Sequence, residues 1–82
     1  MSRQEVMRKV YDILSKQLSV SVVDITEQSL VGEDLGADSL DTAEIAMMIK
    51  DEFNYDLKDE EISSIKTVKD IIELINNNAV NQ

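Results

Sequence analysis

The sequence predicts an all-α fold: a small four-helix bundle of three long helices and one short helix, with a long loop between the first two helices. Three observations carry this. Apolar residues recur at helical spacing in three separate stretches. The single β-branched run, Val20, Val22, Val23 and Ile25, has no second run to pair with, and a lone strand is not stable in water. A chain of 82 residues, 43% apolar, supports one domain, residues 1–82. Such a domain buries about 60–65% of its unfolded surface, so its core is thin.

The first helix is expected over residues 4–18. Val6, Val10, Ile13 and Leu14 stand at i, i+4, i+7 and i+8, and Met7, Tyr11 and Leu18 widen the stripe. Ser2 and Glu5 have the spacing of a capping box. Residues 19–38 read as a long connection whose apolar residues lie over the helices. A connection of roughly twenty residues in a compact domain is unusual and often functional. The second helix is expected over residues 39–53, with Thr42, Ile45, Ala46, Ile49 and Phe53 facing the core. A second stripe, Leu40, Glu44, Met47 and Asp51, widened by Met48, alternates apolar and acidic residues. Apolar side chains ringed by one sign of charge suit a docking face. The alternative is that Leu40 and Met47 tuck into a helix junction.

A short helical turn is expected over residues 59–65. Asp59, Glu60 and Glu61 favour a helix N-terminus, and Ile62 and Ile65 are three apart. The last helix is expected over residues 68–76. Val68, Ile71, Ile72 and Ile75 share a face, and Thr67 is a candidate N-cap. The run Asn76-Asn77-Asn78 should end it, leaving residues 79–82 frayed.

Composition excludes whole classes of chemistry. There is no Cys, hence no thiolate nucleophile and no disulfide. There is no His, hence no imidazole base, serine triad or histidine metal ligand. The only glycines are Gly32 and Gly36, too few for a glycine-rich phosphate loop. The net charge is −9, and residues 33–61 hold all of the excess: eleven acids and two bases. The other 53 residues hold six of each. Such a chain repels nucleic acid and anionic lipid and attracts basic protein surfaces. The acidic run at 33–41 fails as an EF-hand, because a loop starting at Asp34 puts Gly36 where a ligand is needed. No metal site is expected. No apolar run approaches the ~18 residues of a membrane span, and the N-terminus is polar. The expectation is a cytoplasmic protein that binds neither membrane nor nucleic acid.

Ser39 is the residue left to carry chemistry. It opens the second helix between Asp38 and Asp41. The ordinary reading is that Asp38 or Ser39 simply caps that helix. A hydroxyl at a helix N-terminus is also exposed, and the dipole there favours an attached phosphate.

The run Asp34-Leu35-Gly36-Ala37-Asp38-Ser39-Leu40-Asp41 resembles the D-L-G-x-D-S-L-[DE] signature of acyl carrier proteins at eight consecutive positions. The likeness covers nearly the whole chain. Glu44 and Met47 match that family's second helix, and Phe53 its closing aromatic. Asp59-Glu60-Glu61 resembles the acidic start of its third helix, and Thr67-Val68 the start of its fourth. Four positions depart: Ser19 stands where the family often has Gly, Gly32 is an extra residue before Glu33-Asp34, Lys50 stands where the family commonly has an acid, and Lys58 where many members have Pro.

The resemblance implies a single carrier domain, not an enzyme. A 4'-phosphopantetheine group from coenzyme A would be attached to Ser39 by a separate phosphopantetheinyl transferase. Acyl chains would be held on its thiol as thioesters and sheltered in a hydrophobic cleft. Asp38, Leu40, Asp41, Glu44, Met47 and Asp51 would meet the basic docking patches of fatty acid synthesis enzymes, with the carrier acting as a monomer. The missing cysteine is then no obstacle, because the thiol arrives on the cofactor. Two alternatives stay open: a carrier of the same fold for polyketide or aminoacyl transfer, and an acidic adaptor that binds a basic partner without a cofactor.

Overall fold

Three apolar helix faces meet in one core. The computed structural model describes residues 2–80 and winds them into α1 (Arg3–Leu18), α2 (Ser39–Phe53), α3 (Asp59–Ser64) and α4 (Val68–Ile75). Val6, Val10, Ile13 and Leu14 of α1, Ile45 and Ile49 of α2, and Val68, Ile71, Ile72 and Ile75 of α4 are all buried. Ile25, Val31, Leu35 and Leu57, from the connections, complete the cluster. Burial of such side chains is worth about 1.5–3 kcal/mol each and is the main force holding the bundle. The expected all-α bundle forms, with three longer helices and one of six residues, and no strand among the described residues.

Each helix starts where its cap puts it. Ser2 Oγ accepts the Glu5 N–H at 3.2 Å and Glu5 Oε1 accepts the Ser2 N–H at 3.3 Å, so α1 begins at Arg3. It ends at Ser19, which takes φ 56°, the left-handed conformation usually given to glycine. For a residue with a Cβ that conformation costs about 1–2 kcal/mol. Gln17, near the end of α1, donates to Asp41 Oδ1 at the start of α2 (3.1 Å), and Lys9 pairs with Glu52 near the end of α2. The two helices therefore run antiparallel.

The connection over residues 19–38 is stapled to α4. The Val31 N–H donates to the Lys66 carbonyl at 2.9 Å. The Val68 and Lys69 N–H groups, which have no acceptor inside their own helix, donate to the carbonyls of Ser29 (3.1 Å) and Glu27 (2.9 Å). Arg3 adds ion pairs to Glu27 (2.6 Å) and Glu73 (3.3 Å), joining α1, the connection and α4.

Two sequence expectations need correction. Val23 does not lie over the helices, being 87% exposed, and Val22, 45% exposed, only rims the groove beside α1. The segment Val22–Asp24 is a 3-10 turn, with Asp24 N–H on the Ser21 carbonyl and Ile25 N–H on the Val22 carbonyl. That turn faces Val22 and Val23 outward while Ile25 enters the core. The asparagine run ends α4 at Ile75, as expected, but does not end the winding. Asn76 keeps right-handed backbone, Asn78 Nδ2 donates to the Leu74 carbonyl at 2.8 Å, and the chain continues as π-helical turns over Asn76–Val80. Residues 79 and 80 are thus wound, not frayed; residues 81 and 82 lie outside the described residues.

Candidate functional site

Residues 30–37 form a wound loop that delivers the chain to α2. Asp34 Oδ2 accepts the Leu30 N–H at 2.8 Å, while the N–H groups of Asp34 and Leu35 both return to the Leu30 carbonyl. The Gly36 N–H donates to the Gly32 carbonyl and the Ala37 N–H to the Val31 carbonyl. Leu35 is buried. Gly36 takes φ 81°, and a Cβ there would meet nothing within 4 Å. Its backbone conformation, not crowding, calls for glycine.

Asp38 then caps α2. Its Oδ1 accepts the Asp41 N–H at 2.9 Å, and Asp41 Oδ2 accepts the Asp38 N–H at 3.1 Å. The sequence left Asp38 and Ser39 as rival caps; the geometry assigns the cap to Asp38. Ser39 is the first residue of α2 and is exposed, with its hydroxyl outside the capping box. Unsatisfied N–H groups and the dipole at that end of a 15-residue helix favour an anion. The Asp38 N–H, and after it the Gln17 amide, hold the Asp41 carboxyl below the usual aspartate range.

The second stripe of α2 faces solvent. Leu40 and Met47 are 77% and 66% exposed, so neither tucks into a helix junction. Glu44 and Asp51 are exposed beside them. Asp41 stands apart, half-buried and bonded through both carboxylate oxygens to Gln17 and Asp38. Lys50 interrupts the acidic face and lies 3.7 Å from Asp56. Spacing gave no signal for Gln17, which positions Asp41 from another helix.

The opposite side of α2 walls an apolar cleft of about 160 Å3. Ala37, Thr42 and Ala46 line one side and Leu57, Ile62 and Ile65 the other. Ala37 and Thr42 bracket Ser39 in the sequence, so the cleft reaches the start of α2, although Ser39 itself does not line it. A wider groove of about 480 Å3 runs between α1 and the second half of α2. It is rimmed by the Lys9–Glu52 and Lys16–Asp12 ion pairs, and no residue of the first turn of α2 lines it. Among the described residues no helix is long and apolar enough to cross a membrane.

Comparison with known proteins places most of the chain in one family. Residues 8–75, from within α1 to the last residue of α4, match a family model described as a phosphopantetheine attachment site. The chain is similar to an acyl carrier protein of Thermosynechococcus vestitus, 40% identical over 77 residues that cover 94% of this chain and 95% of that one. It is also similar to an acyl carrier protein of Porphyromonas gingivalis, 42% identical over 74 residues that cover 90% of this chain and 95% of that one.

Proposed function

We propose, from the premise that this chain belongs to the acyl carrier protein family, that Ser39 bears its phosphopantetheine group and that it carries acyl chains for fatty acid synthesis. The observation that supports Ser39 is the division of labour at the start of α2. Asp38 takes the cap, so the Ser39 hydroxyl can be esterified without unmaking the helix. The surroundings fit the group: an exposed hydroxyl at a helix N-terminus, with an apolar cleft that reaches the start of that helix. When bound, the group supplies the thiol that holds acyl chains as thioesters, a chemistry absent from a chain without Cys.

The protein's own residues do the rest. Asp38 and Asp41 fix the first turn of α2 and hence the position of the hydroxyl. The cleft removes apolar surface from water. Leu40 and Met47 offer apolar contact, and Glu44, Asp51 and Asp38 attract basic patches on partner enzymes. Asp41 contributes charge from a half-buried position. The chain is a carrier and makes no bonds itself; a separate phosphopantetheinyl transferase loads it from coenzyme A. As proposed, residues 1–82 are one carrier domain that works in the cytoplasm as a monomer, a net charge of −9 keeping copies apart.

Incubation with coenzyme A and a phosphopantetheinyl transferase, followed by intact-mass measurement, tests the assignment. The parent chain should gain one phosphopantetheine, and Ser39→Ala should gain none while keeping its circular dichroism spectrum. A Ser39→Ala chain that is still modified would overturn it.

A further inference from the structure

The wall of the cleft opposite α2 is lightly built. α3 has six residues, none fully buried, and its N-cap is Lys58, whose side chain has no acceptor to offer. A helix this short does not stand alone. Yet Leu57 before it, Ile62 within it and Ile65 at its C-cap form that wall. The walls from α2 and α4 include Ile45 and Ile71, which are buried in the main core; on the α3 side only Leu57, ahead of the helix, is buried there, while Ile62 and Ile65 are half-buried.

Among the described residues one polar contact ties α3 to the body of the protein. The ring of Tyr55, in the connection between α2 and α3, packs half-buried against the core. Its hydroxyl donates to Glu61 Oε2 at 2.5 Å, while Glu61 Oε1 accepts the Lys58 N–H at 2.9 Å. Glu61 is therefore gripped through both oxygens. The Tyr55 hydroxyl, then the Lys58 N–H, hold the Glu61 carboxyl below the usual range, and burial with Glu61 pushes the Tyr55 phenol up to about 12. Both groups stay in their bonded forms at neutral pH.

Cleft size gives this tie a consequence. An apolar cavity of about 150 Å3 takes one benzene, six carbons. At about 160 Å3 the cleft holds an acyl segment of similar size. A longer chain needs a wall to move, and the wall that yields is the one with the least buried surface. Moving α3 outward breaks the Tyr55–Glu61 bond, which is of the stronger, charge-assisted kind. We propose that this bond is a latch on the cleft, and that Tyr55 thereby sets the length of acyl chain the domain shelters. The proposal rests on the acyl-carrier reading above.

Tyr55→Phe keeps the ring and removes the hydroxyl. In the unmodified chain, α3 amides should exchange hydrogen about ten-fold faster than in the parent, the scale of one hydrogen bond to a charged acceptor. Amides of α1 and α4 should not change. Glu61→Gln, which keeps an acceptor for the Lys58 N–H, should shift α3 exchange in the same direction. Both proteins are then loaded from acyl-coenzyme A of increasing chain length by a transferase that accepts it. The parent's melting temperature should rise up to about six carbons and then level; Tyr55→Phe should go on rising beyond that point. Unchanged α3 exchange in both variants overturns the latch. Faster exchange with levelling at the parent's chain length overturns the role of Tyr55 in length selection. The exchange measurement needs no prosthetic group, so a failure to load counts against the attachment reading alone.

Discussion

Replacing Asp38 and Ser39 in turn separates the residue that holds α2 from the residue proposed to bear the group. Asp38 Oδ1 satisfies the Asp41 N–H at 2.9 Å, one of the donors that a helix start leaves without a partner. Asp38→Ala abandons that donor and should cost about 0.5–2 kcal/mol. For a domain of this size, a loss of about 1 kcal/mol lowers the melting temperature by about 4–8 °C. The same change removes one negative charge from residues 33–61, which carry the whole net charge of −9. That relief offsets part of the loss in low salt and vanishes near 1 M salt, where the Debye length is about 3 Å. Asp38→Ala should therefore fall further below the parent in high salt than in low. Asp38→Asn keeps an acceptor and sheds the charge, so in low salt it should melt with the parent or above it. Ser39→Ala removes no bond from the cap and places the best helix former at the first helical position, so its shift should stay within about 0.5 kcal/mol. Thermal melts followed by far-ultraviolet circular dichroism, at both salt levels, read all three. If Ser39→Ala melted as low as Asp38→Ala, the serine hydroxyl would be carrying the cap, and the case for an uncommitted hydroxyl would collapse.

Further predictions follow from the charge map, the docking stripe, one perturbed carboxylate and the core. Adding NaCl should raise the parent's melting temperature, because among the described ion pairs only those of Lys9 and Lys50 reach acids within residues 33–61; a flat or falling curve would mean that local pairs outweigh the repulsion. Glu44→Lys should slow acyl loading by a basic partner enzyme, mostly through on-rate and less so at high salt, while Glu73→Lys, on α4 beside Arg3, should do far less; equal effects would mean that net charge alone is sensed. The Thr67 and Lys66 N–H groups hold the Asp70 carboxyl below its ordinary 3.8, so its stabilising contribution is present above that value and is lost as pH falls through the lower folded value. Asp70→Asn should accordingly flatten the acid limb of the stability curve below pH about 4, and an acid limb as steep as the parent's would refute the assignment. Ile49→Ala empties a fully buried site and should cost about 2–5 kcal/mol in urea unfolding; a loss under about 1 kcal/mol would mean the core closes over the gap.

The helices were legible because their signals are local. The stripe and cap of α2 specify residues 39–53 without reference to the rest of the chain, and the Ser2–Glu5 box does the same for the start of α1. The exposed stripe of α2 was legible for a related reason: Leu40 and Met47 fall off the core face of their own helix. What was not legible depends on partners far along the chain. Val22 and Val23 face outward because the connection is pinned to α4 at Glu27, Ser29 and Val31, contacts that no local pattern announces. The pairing of Tyr55 with Glu61, and of Arg3 with Glu27 and Glu73, is equally silent in the spacing. Asparagine is ambiguous by chemistry. Asn54 ends α2 in the left-handed conformation, whereas Asn76 continues right-handed and Asn78 bonds back to Leu74. Ser19 stands where glycine was the expected residue, and it takes the left-handed conformation anyway, so that departure costs conformational energy and leaves the fold unchanged.

The run at residues 34–41 has the look of a binding motif, yet most of it serves to hold one hydroxyl still. Asp34 bonds the loop backbone, Leu35 enters the core, Gly36 makes the turn, Ala37 lines the cleft, and Asp38 and Asp41 cap each other's N–H groups. Ser39 and Leu40 are what remain for a partner to meet. On the proposed reading, a loop pinned at Val31 to the Lys66 carbonyl does not swing to deliver a cargo, so the reach of the carrier comes from the attached group. A partner enzyme then meets the same surface around Ser39 whatever acyl chain is on board. The cleft has the opposite need, since its volume has to follow the length of its contents. α3 meets that need without disturbing the attachment site. Its neighbours in the chain are fixed at Tyr55, whose ring packs against the core, and at Lys66, whose carbonyl takes the Val31 N–H. Between those points the segment can shift while the loop at residues 30–38 stays in place, because among the described residues no hydrogen bond joins α3 to that loop.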